Sequence, residues 1–340
     1  MLLTTLHNLP EITQISLWDA EDPAKSQANL PVSKKVGLVT SDLAAVLAQP
    51  DLVFAIVCVR TDLNAAVCHQ VIAAGKHLLS EKPVGLTATE VEGLERAAKQ
   101  AHVAASVLYV RRLHPCMVAA RPIVQSGELG RLLSFEARFL TTQVRFRHPE
   151  SWLFRKENAG GGILLWLGCH CLDLIRNISG EEITDVSALL PIRSGEKIEV
   201  EDTAALTLRL SSGAVGTFHA GYTLAYSGGG YVNASGYDSY LGFNFERGRI
   251  VWPDLDPHLQ IERPPAAGQP PKQTVSFELP SSSSYGGSGG EVFFRQFIAA
   301  TQGEGQPPTT LSDALAVAHV VESAQRSNGS GRLESIPPLA

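Results

Sequence analysis

Lys82 lies in a sequence context that can place an ammonium group against a reacting oxygen. The apolar run His77-Leu78-Leu79-Ser80 is typical of a strand, and Glu81-Lys82-Pro83 follows it directly. Open α/β sheets bind ligands at the carboxyl ends of their parallel strands, and the proline favours an extended backbone at Lys82. A lysine held there can act as a general acid or stabilise a developing alkoxide. The alternative is a solvated loop lysine, the commonest environment of this residue type.

His170 is a second residue whose chemistry suits proton transfer near neutral pH. It falls on an expected helix after Gly160-Gly161-Gly162, although a lone histidine on an apolar helix is more often a satisfied core residue. Trp166, four residues earlier, and Asp173, three residues later, share its helix face. Trp166 can line the same cleft as His170 or belong to the core, whereas Asp173 can orient the imidazole or anchor the helix.

Asp19 ends an expected strand, Ile12 to Trp18. In a dinucleotide-binding Rossmann sheet, an acidic residue at the end of the second strand hydrogen-bonds the adenosine ribose and favours NAD over NADP. The alternative is an ordinary turn residue. The G-x-G-x-x-G turn should precede this residue by about 20 positions, yet no glycine occurs before Gly37. We therefore expect the first strand and its glycine-rich turn to be missing. Either Met1 is internal to a longer chain, which we favour, or cofactor binding has been lost.

The bulk composition is that of an ordinary globular chain long enough for two domains. It has 340 residues, 44% of them hydrophobic and 18% charged. The net charge of −6 offers no footprint for nucleic acid, no apolar run approaches a membrane span, and the first residues do not resemble a signal peptide. Five scattered cysteines indicate reduced thiols in a cytoplasmic protein. Cys169-His170-Cys171 is not expected to bind a metal, because adjacent helical residues point in different directions.

Strands and helices alternate up to about residue 107, which predicts a parallel, doubly wound α/β sheet. We expect a Rossmann-like domain over residues 1–107, without its first strand, and an α+β domain with a large, mostly antiparallel open sheet over residues 108–340. The expected strands of the second domain are residues 131–140, 184–190, 202–210, 214–222, 231–235 and 249–252. The Pro-, Gly- and Ser-rich stretches 264–271 and 281–290 are expected to be loops, and residues 291–301 and 312–327 helices.

Five short motifs follow one another along the chain. They are Ala74-Gly75-Lys76-His77 with Glu81-Lys82-Pro83; Arg111-Arg112-Leu113-His114-Pro115 with Gly127-Glu128-Leu129-Gly130; Gly160-Gly161-Gly162 with Gly168-Cys169-His170-Cys171-Leu172-Asp173; Glu201-Asp202-Thr203-Ala204; and Asp313-Ala314-Leu315. In this order they resemble the Gfo/Idh/MocA family of NAD(P)-dependent sugar and polyol oxidoreductases, over nearly the whole chain. The resemblance implies an N-terminal Rossmann domain and a C-terminal domain with a large open sheet.

The resemblance also implies roles for particular residues. The family's Glu-Lys-Pro lysine contacts the nicotinamide ribose and the substrate, and its histidine acts as acid and base on the substrate hydroxyl. Carried over, the catalytic residues are Lys82 and His170; the cofactor-binding residues are Asp19, Glu81, Lys82, Pro83 and Trp152; and the substrate-binding residues are Arg112, Trp166, His170 and Asp173. An arginine of the Arg111-Arg112 pair suits a hydroxyl-rich or carboxylate substrate, with a surface role as the alternative.

Two departures from the family pattern accompany these assignments. Trp166 stands where the family often has an aspartate, and tryptophan neither transfers protons nor orients an imidazole as a carboxylate does. Val110 stands where an asparagine is common. If hydride transfer occurs, Lys82 and His170 must carry it out without that aspartate.

The favoured function is hydride transfer between NAD and a sugar, polyol or sugar derivative. A non-catalytic sugar-binding or scaffold protein is the first alternative, because of the missing glycine-rich turn and Trp166. A second alternative uses NAD transiently for elimination or glycoside cleavage. The expected partners are a small-molecule substrate and further copies of the chain, paired through the open sheet; neither nucleic acid nor a membrane is expected.

Overall fold

The computed structural model describes residues 2–28, 33–225, 236–253, 257–264 and 270–339. The helices are α1 Leu2–Asn8, α2 Pro23–Ala28, α3 Leu43–Leu47, α4 Thr61–Ala73, α5 Ala88–Ala101, α6 Pro115–Gln125, α7 Lys156–Ala159, α8 Cys169–Ser179, α9 Gly287–Thr301 and α10 Leu311–Ser330. The strands are β1 Ile15–Trp18, β2 Val36–Thr40, β3 Phe54–Val57, β4 His77–Ser80, β5 Ala105–Val107, β6 Leu132–Thr142, β7 Ile183–Leu189, β8 Thr203–Leu210, β9 Val215–Leu224, β10 Tyr237–Phe245, β11 Gly248–Pro253, β12 His258–Glu262, β13 Lys272–Ser276 and β14 Glu334–Ser335.

The N-terminal strands form two separate parallel sheets. β1 pairs with β2, and β3, β4 and β5 pair in that order. Within the described residues, no strand joins β1 to β3. The register places Val57, Ser80 and Val107 side by side at the carboxyl ends of their strands. The segments that follow these three residues therefore emerge at the same edge of the sheet, where open α/β sheets bind ligands.

Local sequence signals account for the helices around these strands. Thr87 and Glu90 form a capping box at the start of α5, with each side chain bonded to the backbone of the other residue. Asp42, expected as a cap, accepts a hydrogen bond from Ala45 N at the start of α3. The expected helix over Ala88–Gln100 is thus confirmed to within one residue.

The C-terminal half is built on one large mixed sheet. The strand order is β13-β12-β11-β10-β6-β9-β8-β7-β14, antiparallel throughout except for the parallel pair β6–β9. In β8, alternate residues are buried and exposed, so only one face of the sheet packs against the core. Helices α6, α8 and α10 cover that face. The predicted large, mostly antiparallel sheet is confirmed.

Several sequence predictions need correction. Strands β10, β12 and β13 were not expected, and the expected strand 231–235 lies outside the described residues. The expected loop 281–290 already enters α9 at Gly287. The glycines there allow close packing: a Cβ on Gly289 would lie 2.7 Å from Leu113 O, and one on Gly290 would lie 1.7 Å from Tyr285 O.

The last helices of the chain pack back against the parallel sheets. The α9 residues Phe293, Phe294 and Phe297 form a buried cluster with Leu79 and Leu108 from the β4 and β5 segments. On α10, Glu322 Oε1 accepts a hydrogen bond of 2.6 Å from Ala88 N at the start of α5. Helices α9 and α10 therefore both pack against the N-terminal half, through two separate buried clusters.

One largely helical stretch among the described residues, Lys156–Ser179, is long and apolar enough, by length and composition, to cross a membrane. This corrects the expectation that no apolar run reaches such a length. Most of its apolar window (83%) is buried inside the protein. Core packing therefore accounts for its composition.

Candidate active site

The Glu81-Lys82-Pro83 turn is held rigidly at the end of β4. Asn64 of α4 donates hydrogen bonds from its side-chain amide to Glu81 O (3.2 Å) and Pro83 O (3.0 Å). The Lys82–Pro83 peptide bond is cis, and the Lys82 side chain is buried, with 7% of the residue exposed. Sequence reasoning missed Asn64, whose amide can bond two carbonyls from a neighbouring loop.

The Lys82 ammonium group contacts Trp166 in two ways. Its Nζ atom donates a 2.7 Å hydrogen bond to Trp166 O and lies 4.2 Å from the centre of the indole ring. Trp166 belongs to a π-helical segment, Leu164–Gly168, that leads directly into α8. Such segments are rare and frequently occur at functional sites. The tryptophan in place of the family's aspartate is therefore a direct partner of Lys82.

His170, in the first turn of α8, is buried, with 6% of the residue exposed. Among the described residues, its Nδ1 atom has no hydrogen-bond partner. Burial, together with the positive charges of Lys82 and Arg111, lowers the pKa of His170 well below its usual value. The ring is therefore neutral at physiological pH, and one of its nitrogens can accept a proton.

The triple glycine and Glu201 together fix the start of the helix that carries His170. The Glu201 carboxylate accepts hydrogen bonds from Gly162 N (2.8 Å) and Leu164 N (3.1 Å), and Ile163 N donates to Glu201 O (3.0 Å). A Cβ on Gly162 would lie 1.8 Å from Glu201 O. This contact explains why the third and fourth motifs occur together.

The structure places Arg112 and Asp173, both predicted to bind substrate, in a network of ion pairs. Arg112 donates to both carboxylate oxygens of Asp173, at 2.8 and 2.5 Å, and also pairs with Asp313 at 2.8 Å. Arg176 reaches the same Asp313 at 3.4 Å. These side chains satisfy one another, so the network ties α8 and α10 to the segment after β5. Asp173 anchors its helix, one of the two roles considered from the sequence.

Arg111, the neighbour of Arg112, has different surroundings. Its guanidinium group lies 4.7 Å from the ring centre of Phe139 and 5.9 Å from that of Tyr237. In a 3₁₀ turn such as Val110–Leu113, consecutive side chains point in different directions. Arg111 is thus the arginine of the pair whose charge influences His170.

Glu81 supports the turn through its carboxylate. It accepts a 3.0 Å hydrogen bond from Lys82 N. Burial, together with the charge of Glu81 and a hydrogen bond to it, raises the pKa of the Tyr285 hydroxyl. Tyr285 precedes α9, so the end of the chain also contributes to this site.

The rings of two tryptophans pack against each other beside Lys82. Trp152 lies in a 3₁₀ turn, Trp152–Phe154, and its ring packs edge-to-face on Trp166 at a centroid distance of 5.6 Å. The structure therefore places Lys82, His170, Trp166 and Trp152 in one connected cluster.

Asp19 lies apart from this cluster, at the end of β1 in the two-stranded sheet. Its carboxylate accepts hydrogen bonds from Glu21 N (2.9 Å), Asp22 N (3.1 Å) and Ser26 Oγ (2.5 Å). The bond from Ser26 and those from the backbone lower the pKa of Asp19. The carboxylate is therefore ionised and keeps lone pairs for a further donor.

Two family models match the chain, one on each half. The model described as the oxidoreductase family, NAD-binding Rossmann fold, matches residues 4–109. The model of the GFO/IDH/MocA C-terminal domain matches residues 117–250. The chain therefore belongs to the Gfo/Idh/MocA family of oxidoreductases, as its motifs predicted.

Known proteins of this family are similar along parts of the chain. Levoglucosan dehydrogenase from Pseudarthrobacter phenanthrenivorans is 27% identical over 232 residues, which cover 61% of this chain and 59% of that protein. D-xylose dehydrogenase from Paenarthrobacter nicotinovorans is 33% identical over 151 residues, 43% of this chain and 39% of that protein. The chain thus spans less than two thirds of either relative. A solved complex of levoglucosan dehydrogenase with NADH and levoglucosan shares the fold, with a TM-score of 0.84 at 21% identity, covering 98% of this chain and 96% of that chain.

The side chains predicted to bind NAD suit the groups at the two ends of the cofactor. At the predicted nicotinamide end, Asn64 holds the turn that carries Glu81 and Lys82, and the buried Nδ1 atom of His170 has no hydrogen-bond partner within the described ranges. At the adenosine end, the ionised Asp19 suits ribose hydroxyls. No glycine occurs before Gly37, so we assign no residue to the pyrophosphate.

Proposed function

We propose that the protein oxidises a secondary alcohol of a sugar, polyol or sugar derivative, with NAD as hydride acceptor. The observation that carries this proposal is the buried His170 ring: its Nδ1 atom has no hydrogen-bond partner in the described part of the chain, and the charge of Lys82 helps to lower its pKa. An orphaned polar atom in a buried position is costly unless a ligand supplies its partner. The names of the relatives, levoglucosan dehydrogenase and D-xylose dehydrogenase, support a sugar substrate.

Each residue of the cluster has a defined task in this reaction. When bound, NAD supplies an acceptor for the hydride of the carbinol carbon. His170 accepts the proton of the substrate hydroxyl, and Lys82 donates a hydrogen bond that stabilises the negative charge developing on that oxygen. The Trp166 ring covers the ammonium group of Lys82 on one side and excludes water there, and the Trp152 ring packs against Trp166.

The electrostatics of the site favour return of the proton to solvent. Protonated His170 would lie near two cations, Lys82 and Arg111, which together with burial lower its pKa. The imidazolium therefore forms transiently and loses its proton readily. In the reverse direction, the same low pKa makes it a strong acid toward a developing alkoxide.

Trp166 stands where the family often has an aspartate, and it holds Lys82 in a different way from a carboxylate. Its carbonyl oxygen holds Nζ at 2.7 Å, and its ring lies beneath the ammonium group. This arrangement orients the lysine without neutralising its charge. A non-catalytic sugar-binding protein is the competing possibility, because in the part of the chain that the structure describes no carboxylate bonds His170 Nδ1.

Steady-state formation of NADH tests the proposal. The protein is assayed with NAD⁺ over a panel of aldoses, polyols and anhydrosugars, alongside Lys82→Met and His170→Asn. We expect each substitution to lower kcat by about 10²- to 10⁴-fold, the range of general acid–base catalysis. Matched controls are Lys99→Met and His148→Asn, because both side chains are exposed.

The outcomes separate the candidate functions. Substrate-dependent NADH formation that the controls keep and the two site variants lose supports the dehydrogenase. Sugar binding without turnover supports the non-catalytic protein. Release of a free sugar without net NADH would indicate elimination or glycoside cleavage.

A further inference from the structure

Arg111 is a cation whose charge reaches His170 and which pairs with no carboxylate among the described residues. Among the described residues, its guanidinium group makes no ion pair and no hydrogen bond, and it lies against the rings of Phe139 and Tyr237. Arg112, by contrast, is held by two carboxylates. Burial lowers the pKa of Arg111, which reflects the cost of a desolvated charge without a counter-ion.

The carboxylates around the site are already engaged elsewhere. Glu81 is bonded to Lys82 N and to Tyr285, while Asp173 and Asp313 bind Arg112. The family's aspartate position, which would have added a negative charge near Lys82, is Trp166. With His170 neutral, the side of the cleft that faces the reacting group carries the unbalanced charges of Lys82 and Arg111.

We propose that the substrate is a sugar acid or polyol acid whose carboxylate binds Arg111 while its reacting hydroxyl lies between His170 and Lys82. The N–H groups of a guanidinium group lie in its own plane, so they point sideways when that group lies flat on an aromatic ring. There it can donate two parallel hydrogen bonds to one carboxylate. Because Lys82 serves the reacting oxygen, Arg111 leaves one positive charge for the substrate, which matches one carboxylate, whereas a phosphate brings close to two.

This inference rests on the proposed dehydrogenase function but specifies its substrate class. The reaction itself is unchanged: the hydroxyl proton goes to His170, and the hydride leaves the same carbinol carbon. Arg111 takes no part in proton transfer. It binds and orients the substrate through a group remote from the reacting atoms.

Matched pairs of compounds test the inference. The probes are D-glucuronate with D-glucose, D-galacturonate with D-galactose, and D-gluconate with sorbitol, with D-glucose 6-phosphate as a further arm. Isothermal titration calorimetry measures binding to the intact protein, and NADH formation measures kcat/KM. We expect the acid to be preferred over its neutral partner by about 10- to 100-fold, the range for a hydrogen-bonded charge pair.

The variants then assign that preference to one side chain. Arg111→Met should bring the ratio of acid to neutral compound close to one, and Arg111→Lys should restore part of it. Arg138→Met is the matched control, because Arg138 also lies over a ring, that of Tyr240, but pairs with Asp238. The control should keep the wild-type ratio.

Several outcomes would overturn the inference. They are equal affinity of the wild type for acids and neutral partners, tighter binding of the phosphate than of any carboxylate, or an unchanged ratio in both Arg111 variants that fold. The binding arm separates this inference from the proposed function. Acid-selective binding without NADH formation would refute the dehydrogenase alone, whereas turnover without acid preference would refute only the role of Arg111.

Discussion

His114 couples the start of α6 to the sheet. Its Nδ1 atom accepts a hydrogen bond from Cys116 N at 3.3 Å, and its ring packs against Trp252 of β11 at a centroid distance of 4.8 Å. Burial, with a smaller contribution from Arg111, lowers the pKa of His114 to about 4. The folded protein therefore favours the neutral form of the His114 imidazole.

This depressed pKa predicts how stability depends on pH. Because an unfolded histidine has a pKa near 6.5, the unfolded state binds more protons between about pH 4 and 6.5, and the free energy of unfolding falls as the pH drops through that window. We expect His114 to account for about 1–2 kcal/mol of the loss between pH 7 and pH 5. Urea unfolding at both pH values measures it. His114→Asn keeps a helix-capping side chain and should lose less stability on acidification than the wild type; an equal loss would contradict the prediction.

Individual site residues were predictable only where a motif fixed their place. Lys82 follows a strand and His170 lies on a helix, as their motifs predicted, and their catalytic roles stay predictions. The sequence did not distinguish Arg111 from Arg112. Which of two adjacent arginines faces the cleft depends on the rotation of a short 3₁₀ turn and on the acidic partners from distant helices.

At the scale of elements, the contact between Gly162 and Glu201 fixes the helix that carries His170. A Cβ at position 162 would meet a backbone oxygen at 1.8 Å, and a backbone atom has little freedom to move. Gly162→Ala should therefore lower the free energy of unfolding by about 3 kcal/mol. It should also lower kcat, because the helix must shift.

Chemical denaturation and NADH formation measure both effects of Gly162→Ala. Gly93→Ala is the control, since it lies inside α5 and its Cβ would have His69 Nε2 as its nearest atom, at 3.6 Å. That substitution should stabilise the protein by about 0.5–1 kcal/mol, because alanine favours helix. Similar effects of the two substitutions would show that the close approach to Glu201 is unimportant.

The elements themselves were predicted where local signals were strong. Helices α5 and α6 and strands β7, β8 and β9 lie within about two residues of their expected positions. Strand β10 was missed because it contains Asp238, Gly242 and Asn244, which are depleted in strands. Its place between β6 and β11 comes from tertiary pairing, which no local pattern reveals.

At the scale of the whole molecule, α9 belongs to the core of the parallel sheets. Phe297 is fully buried and packs edge-to-face on Phe54 of β3 at 5.3 Å. Phe297→Ala should lower the free energy of unfolding by about 3–5 kcal/mol, as expected for a large buried aromatic side chain.

Urea unfolding followed by circular dichroism tests this expectation. Val292→Ala on the same helix is the control, because Val292 is 45% exposed, and it should change the stability by no more than about 0.5 kcal/mol. If both substitutions had similarly small effects, α9 would not be part of the N-terminal core.

The hydrogen bond from Tyr285 N to Thr5 Oγ1, 2.7 Å long, joins residues 280 positions apart. Contacts of such sequence separation form late, because a long loop must close before they contribute any free energy. During synthesis, α1 leaves the ribosome long before α9 exists to cover it. Helix α1 therefore stays partly unpacked until α9 has been synthesised. We expect the N-terminal half to be the part that needs protection while the protein is being made.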